Sequence, residues 1–156
     1  MEIERKFLVS EPPPLGDRPG VAIAQGYLAT GSSEVRLRRR GETPLLTAKQ
    51  GAGLTRGEWE VELDEAQFEA LWPATEGARV QKRRYELAAD GGLVIELDLY
   101  EGALAGLAVA EVEFPSVEAA RAFTVPSWFG MEVTDDEAYK NRRLAVDGLP
   151  ASARGG

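Results

Sequence analysis

Short runs of strictly alternating apolar and charged positions dominate this chain. Successive side chains of a strand face opposite sides. In Glu34-Val35-Arg36-Leu37-Arg38-Arg39-Arg40, Val35 and Leu37 therefore lie on one face, with Arg36, Arg38 and Arg40 on the other. Residues 58–63 set Trp59, Val61 and Leu63 against Glu58, Glu60 and Glu62. Residues 93–100 set Leu93, Ile95, Leu97 and Leu99 against Glu96 and Asp98. The stretch 79–87 carries Lys82 and Arg84 on one face, 107–114 carries Glu111 and Glu113, and 45–49 joins Thr47 with Lys49. Residues 21–29 read as a further strand containing Gln25-Gly26-Tyr27-Leu28. At the start, Glu2, Glu4 and Lys6 point one way and Ile3, Arg5 and Phe7 the other.

Between these runs lie turn signals. Pro12-Pro13-Pro14 and Pro19-Gly20 exclude a central strand. Thr30-Gly31-Ser32-Ser33, Gly41-Glu42-Thr43-Pro44, the loop 50–55 and Asp90-Gly91-Gly92 separate neighbouring strands, as in an antiparallel meander. Helical spacing is rarer. Asp64 can cap a helix over 65–72, with Phe68, Leu71 and Trp72 on one side and Pro73 ending it. Ser116 can cap 117–123, without a capping box because Ala119 stands where Glu or Gln would be needed. Residues 134–144 read as a third helix, with Tyr139 and Leu144 as its apolar points.

The expected fold is mainly β (α+β): an eight-stranded antiparallel closed β-barrel, a tunnel, with peripheral helices and a C-terminal helix near one end. One domain is expected over 1–150, followed by a flexible tail over 151–156. The polar faces carry Lys, Arg, Glu and Asp on nearly every strand, which fits a charged lumen with an apolar outer wall. If the rows converge, cations from Lys6, Arg36, Arg38, Lys49, Lys82 and Arg84 meet carboxylates from Glu2, Glu4, Glu60, Glu96, Asp98, Glu111 and Glu113.

Composition narrows the chemistry. With 44% hydrophobic and 28% charged residues the chain is globular in character. Its net charge of −8 argues against nucleic acid or an anionic membrane as partner, though not against a small anion gripped locally. It has no cysteine and no histidine, which removes disulfides, thiolate sites and the commonest general base. A metal here would be a hard cation on carboxylate oxygens, Mg²⁺ or Mn²⁺. No apolar run is long enough to span a membrane and no signal-peptide pattern is present, so a cytoplasmic location is expected.

Buried charges must be compensated. A polyphosphate with a divalent cation would compensate both rows, because Arg and Lys bind phosphate oxygens and carboxylates hold the metal. Phosphoryl transfer needs positioning, charge neutralisation and a nucleophile, and a metal-activated water supplies the last without histidine.

Glu2-Ile3-Glu4-Arg5-Lys6 is similar to the ExExK signature of the CYTH superfamily, the triphosphate tunnel metalloenzymes. The resemblance extends over residues 1–144 through Arg36-Leu37-Arg38, Lys49, Glu60, Lys82 with Arg84, Glu96 with Asp98, and Glu111-Val112-Glu113-Phe114. It implies Glu2, Glu4, Glu111 and Glu113 as metal ligands. Glu60 and Asp98 would be second-metal or water-positioning residues. Lys6, Arg36, Arg38, Lys49, Lys82 and Arg84 would hold the phosphates, with Lys140 able to reach the tunnel mouth from the closing helix. Catalytic roles fall to Glu4, Lys6, Lys82, Glu60 and Asp98. Tyr27 is either a core or rim residue or a hydrogen-bond partner of Lys6.

The short bacterial-type members imply hydrolysis of inorganic triphosphate to pyrophosphate and phosphate by in-line attack of a metal-activated water. The alternatives are an organic triphosphate phosphohydrolase (thiamine or nucleoside triphosphate), a class IV-type adenylyl cyclase, and a polyphosphate-binding module without turnover. A β-domain with surface charges and no ligand is the plainest alternative. The expected partner is a small molecule, with no nucleic acid and no membrane; a homodimer is left open.

Overall fold

The computed structural model describes residues 3–51 and 57–151. Glu2, most of the 50–55 loop and residues 152–156 of the expected tail lie outside the described residues. The strands are β1 (Ile3–Leu8), β2 (Val21–Thr30), β3 (Ser33–Arg40), β4 (Thr43–Gln50), β5 (Gly57–Glu62), β6 (Arg79–Ala88), β7 (Val94–Glu101) and β8 (Ala108–Phe114). The helices are α1 (Glu65–Leu71), α2 (Val117–Ala122) and α3 (Asn141–Asp147). All strand pairs are antiparallel, in one sheet of eight ordered β1-β8-β7-β6-β2-β3-β4-β5. No described helix is long and apolar enough to cross a membrane.

The expected closed barrel is corrected here: β1 and β5 are the margins of the sheet and do not pair. The free edge of β1 is already occupied. Leu8 N donates to Met131 O at 2.9 Å, Val133 N to Lys6 O at 2.8 Å and Gly130 N to Leu8 O at 2.6 Å. Phe7 and Glu132 form an isolated bridge within this segment. Arg5 fastens it from the outer face with Nε to Glu132 Oε2 at 3.0 Å and Nη2 to Oε1 at 2.7 Å.

Turn chemistry sets the hairpins. The β3–β4 turn is tighter than expected, because only Gly41 and Glu42 lie outside the strands and Gly41 takes a positive φ of 61°. Pro44 therefore sits inside β4. Its carbonyl accepts from Leu63 N at 3.0 Å, and its missing N–H faces the same side, past the last β4–β5 pair at Leu45–Glu62.

Register shows that the charged rows share one face. Glu4 and Lys6 lie opposite Glu113 and Glu111, Glu96 opposite Glu111, and Arg84 opposite Asp98. Tyr27 lies opposite Arg36, Gln25 opposite Arg38, and Thr47 between Arg36 and Glu60. The outer face is apolar. There Phe7, Leu87, Ile95, Leu97, Ala110, Val112 and Phe114 pack beneath Ala120 of α2 and Phe129. Further along, the outer-face Arg39 lies over the Phe68 ring of α1 at 4.6 Å. That helix is fixed by a reciprocal capping box between Asp64 and Gln67, and burial of Phe68 is worth about 1.5–3 kcal/mol.

A second apolar cluster lies on the charged face, at one end. Tyr27, Val80, Tyr100 and Val109 project there and meet Tyr139, Leu144 and Ala145. The single helix expected over 134–144 is corrected. Asp136 accepts from Ala138 N at 3.0 Å and starts a 3₁₀ turn, Glu137–Tyr139. Lys140 is extended, with φ −71° and ψ 142°, and α3 begins only at Asn141. The break turns Tyr139 and Leu144 into the same plug, each 1% exposed.

Candidate active site

A cavity of about 520 Å³ opens on the charged face. Side chains from every strand except β5 line it, so the sheet curls around that face. Of the expected residues, Glu4, Lys6, Arg36, Lys49, Lys82, Arg84, Asp98, Glu111 and Lys140 are brought together here, with Tyr27 among them. Arg38 lies on the same face next along β3, beyond the cavity lining. Glu113 and Glu96 line a neighbouring recess with Arg40 and Glu86. Glu60 is exposed on the margin strand β5, away from the cavity.

The walls differ in charge. On β6 and β7 every charge is matched. Arg84 donates Nε to Asp98 Oδ1 at 2.8 Å and Nη2 to Oδ2 at 2.9 Å, and its Nη1 reaches Glu96 at 2.8 Å. Lys82 Nζ lies 2.7 Å from Asp98 Oδ2 and 5.2 Å from the centre of the Tyr100 ring. Burial pulls the Arg84 guanidinium down, but Asp98 and Glu96 more than reverse this and raise it above its ordinary value. Burial holds the Lys82 ammonium below its usual range despite Asp98. Asp98 stays low for a carboxylate because Arg84 and Lys82 outweigh its own desolvation.

On the inner faces of β3 and β4 the cations are only loosely matched. The Nε atoms of Arg36 and Arg38 are buried without a hydrogen-bond partner. Arg36 has Glu34 only at 4.0 Å, and Lys49 makes no ion pair among the described residues. Arg38 is held below its ordinary pKa, first by burial and then by the like charges of Arg84, Arg36 and Arg40. Donors of this kind suit the oxygens of an anion.

Across the cavity, on β1 and β8, the surplus is negative. Glu111 is pushed up to about 7 by burial and by the hydrogen bond and charge of Glu4. Lys6 Nζ reaches Tyr139 O at 3.4 Å and Glu111 at 3.9 Å. Among the described residues no group of three or more carboxylates gathers at one point, so Glu113 does not join Glu4 and Glu111.

Tyr27 is not a partner of Lys6, since β8, β7 and β6 lie between β1 and β2. Its hydroxyl accepts from Gln25 Nε2 at 2.7 Å, and its ring belongs to the plug, as the core reading had it. Lys140 lies at the rim, paired with Glu137 at 2.9 Å. Sequence reasoning missed Glu34, Tyr100, Asn141 and Arg142, all of which line the cavity. Glu34 was readable, two residues before Arg36 on the same face. Asn141 and Arg142 depend on the break at Lys140, which no local pattern announces.

No protein-family profile matches the chain. The inorganic triphosphatase of Nitrosomonas europaea is 50% identical over 147 residues, 93% of this chain and 97% of that protein. The inorganic triphosphatase of Acetivibrio thermocellus is 35% identical over 146 residues, 92% of each. The crystal structure of the inorganic triphosphatase NE1496 superposes with a TM-score of 0.84 at 47% identity, over 97% of both chains. A Hippeastrum protein described as a putative adenylyl cyclase with dominant triphosphatase activity shares the fold, with a TM-score of 0.51 and 18% identity over 78% of this chain and 83% of that one. These relatives match at high identity along nearly the full chain, and the protein belongs to the inorganic triphosphatases of the CYTH superfamily.

Proposed function

We propose that the protein hydrolyses inorganic triphosphate to pyrophosphate and phosphate in the cavity on its charged face. One observation carries this reading: loosely matched cations on β3 and β4 face the carboxylates of Glu4 and Glu111, on β1 and β8, in one cavity. A triphosphate held with a divalent cation would satisfy both sides at once.

Glu4 and Glu111 would hold the cation, Mg²⁺ or Mn²⁺. Their fit rests on donor chemistry: both offer hard carboxylate oxygens to the same cavity. A cation bound there would offset phosphate charge and acidify the attacking water. The chain's own groups do the rest. Arg36 from the cavity lining and Arg38 from the adjoining position on β3 would donate to phosphate oxygens, and Lys49 adds a point charge. Lys82 and Arg84 on β6 and Lys6 on β1 line the same cavity and would take further phosphate oxygens. The α3 plug shuts one end and excludes water from it. Positioning and charge neutralisation of this kind are what phosphoryl transfer requires.

The test is phosphate release from triphosphate with Mg²⁺ or Mn²⁺, beside ATP and thiamine triphosphate. Release fastest from inorganic triphosphate, lost in Glu4→Ala and in excess chelator, supports the reading. Equal release by Glu4→Ala, or none by the unaltered protein, overturns it.

A further inference from the structure

Family resemblance implies that Asp98 holds a second metal or positions water, but its surroundings differ from what either role needs. Asp98 is 4% exposed, as is Lys82, and its two oxygens accept from Arg84 Nε, Arg84 Nη2 and Lys82 Nζ at 2.7–2.9 Å. Oδ2 takes two of these donors, which uses its in-plane lone pairs. Lys82 and Arg84 carry two positive charges; Asp98 and Glu96 carry two negative ones, and the four side chains form one network without surplus charge. A divalent cation entering it would meet an ammonium and a guanidinium before any free carboxylate oxygen.

We infer that Asp98 is a positioning residue for the triphosphate, holding Lys82 and Arg84 aimed at one point of the cavity, and is not a cation ligand. This rests on the triphosphate reading of the same site. The Arg84 guanidinium is pinned on both edges, by Asp98 and by Glu96, so its plane cannot turn. Lys82 is confined between Asp98 Oδ2 and the face of Tyr100. Each cation alone has several rotamers; the shared carboxylate selects one for each. Asp98→Asn presents an amide N–H to one of them and drives it off.

The experiment compares wild type, Asp98→Asn, Lys82→Met, the double variant Asp98→Asn/Lys82→Met, and Glu4→Gln. For each, kcat and KM for triphosphate are measured across a Mg²⁺ titration. Metal-free binding is read separately, as the rise in Tm on adding triphosphate with chelator present. Asp98→Asn is expected to lower kcat/KM about 20-fold or more, chiefly through KM, and to halve the metal-free Tm rise. Its half-saturating Mg²⁺ stays within about twofold of wild type, whereas that of Glu4→Gln rises about tenfold. In the Lys82→Met background the same substitution costs less than it does in wild type, because only the Arg84 arm of the network is left to lose.

A rise in half-saturating Mg²⁺ for Asp98→Asn matching that of Glu4→Gln overturns the inference, as does an equal loss in both backgrounds. Should Asp98→Asn not fold, the double variant, which removes the buried pair together, decides by its Mg²⁺ dependence alone. If wild type releases no phosphate yet triphosphate raises Tm in an Asp98-dependent way, the activity fails and the positioning role stands.

Discussion

Glu4 and Glu111 lie diagonally across the β1–β8 ladder, which sets Glu4 opposite Glu113 and Lys6 opposite Glu111. Burial and the neighbouring Glu4 push the Glu111 carboxyl up to about 7, against the opposing charges of Lys6 and Arg84.

The sign of the resulting pH dependence is fixed. Glu111 holds its proton above its ordinary value of 4.5, so its contribution to stability is full below that pH and is lost as pH rises towards 7. The metal-free protein is expected to be less stable at pH 8 than at pH 5, by at most about 3 kcal/mol from this group. Glu111→Gln should flatten that fall, and Mg²⁺ should raise Tm more at pH 8 than at pH 5. Thermal denaturation of both proteins at the two pH values checks this.

Arg38→Gln should weaken triphosphate binding without weakening the fold. It removes one charge-assisted bond, worth about 1.5–3 kcal/mol, so KM should rise about 10- to 100-fold. It also removes a guanidinium crowded by Arg84, Arg36 and Arg40 whose Nε has no partner. Urea denaturation without ligand should therefore show stability unchanged or raised.

Leu144→Ala should loosen the plug. Leu144 is 1% exposed among Tyr27, Val80, Tyr100 and Val109, and such truncations cost about 2–5 kcal/mol. Urea denaturation reads the loss, and triphosphate added at saturation should recover part of it by mass action.

Gly26→Ala tests packing on the other side of β2. A Cβ there would lie 2.5 Å from Thr75, which is fully buried in the Trp72–Thr75 3₁₀ turn. The expected loss is about 1–3 kcal/mol by urea denaturation, with KM little changed.

The strands were legible because one face of each carries charges and the other does not. Rows such as Arg36 with Arg38 and Glu96 with Asp98 give both the period and the shared face without long-range information. Tertiary choices were not legible. Nothing local in Met131-Glu132-Val133 says that it will occupy the edge of β1, and that choice keeps the sheet open. The break at Lys140 comes from Asp136 capping a 3₁₀ turn, in a stretch whose apolar spacing alone reads as a helix. Asp98 reads as an acid on the channel face; only its distances to Lys82 and Arg84 show that it is already engaged.

The covering of β1 by residues 130–134 makes the two borders of the sheet unequal. The edge of β1 is covered at Lys6 and Leu8, whereas β5 is the opposite margin, and three glutamates, Glu58, Glu60 and Glu62, stand on its inner face. Head-to-tail stacking needs a donor border and an acceptor border on every copy. With one of them partly spent internally and glutamates lining the other, edge-to-edge stacking of sheets from successive copies is disfavoured.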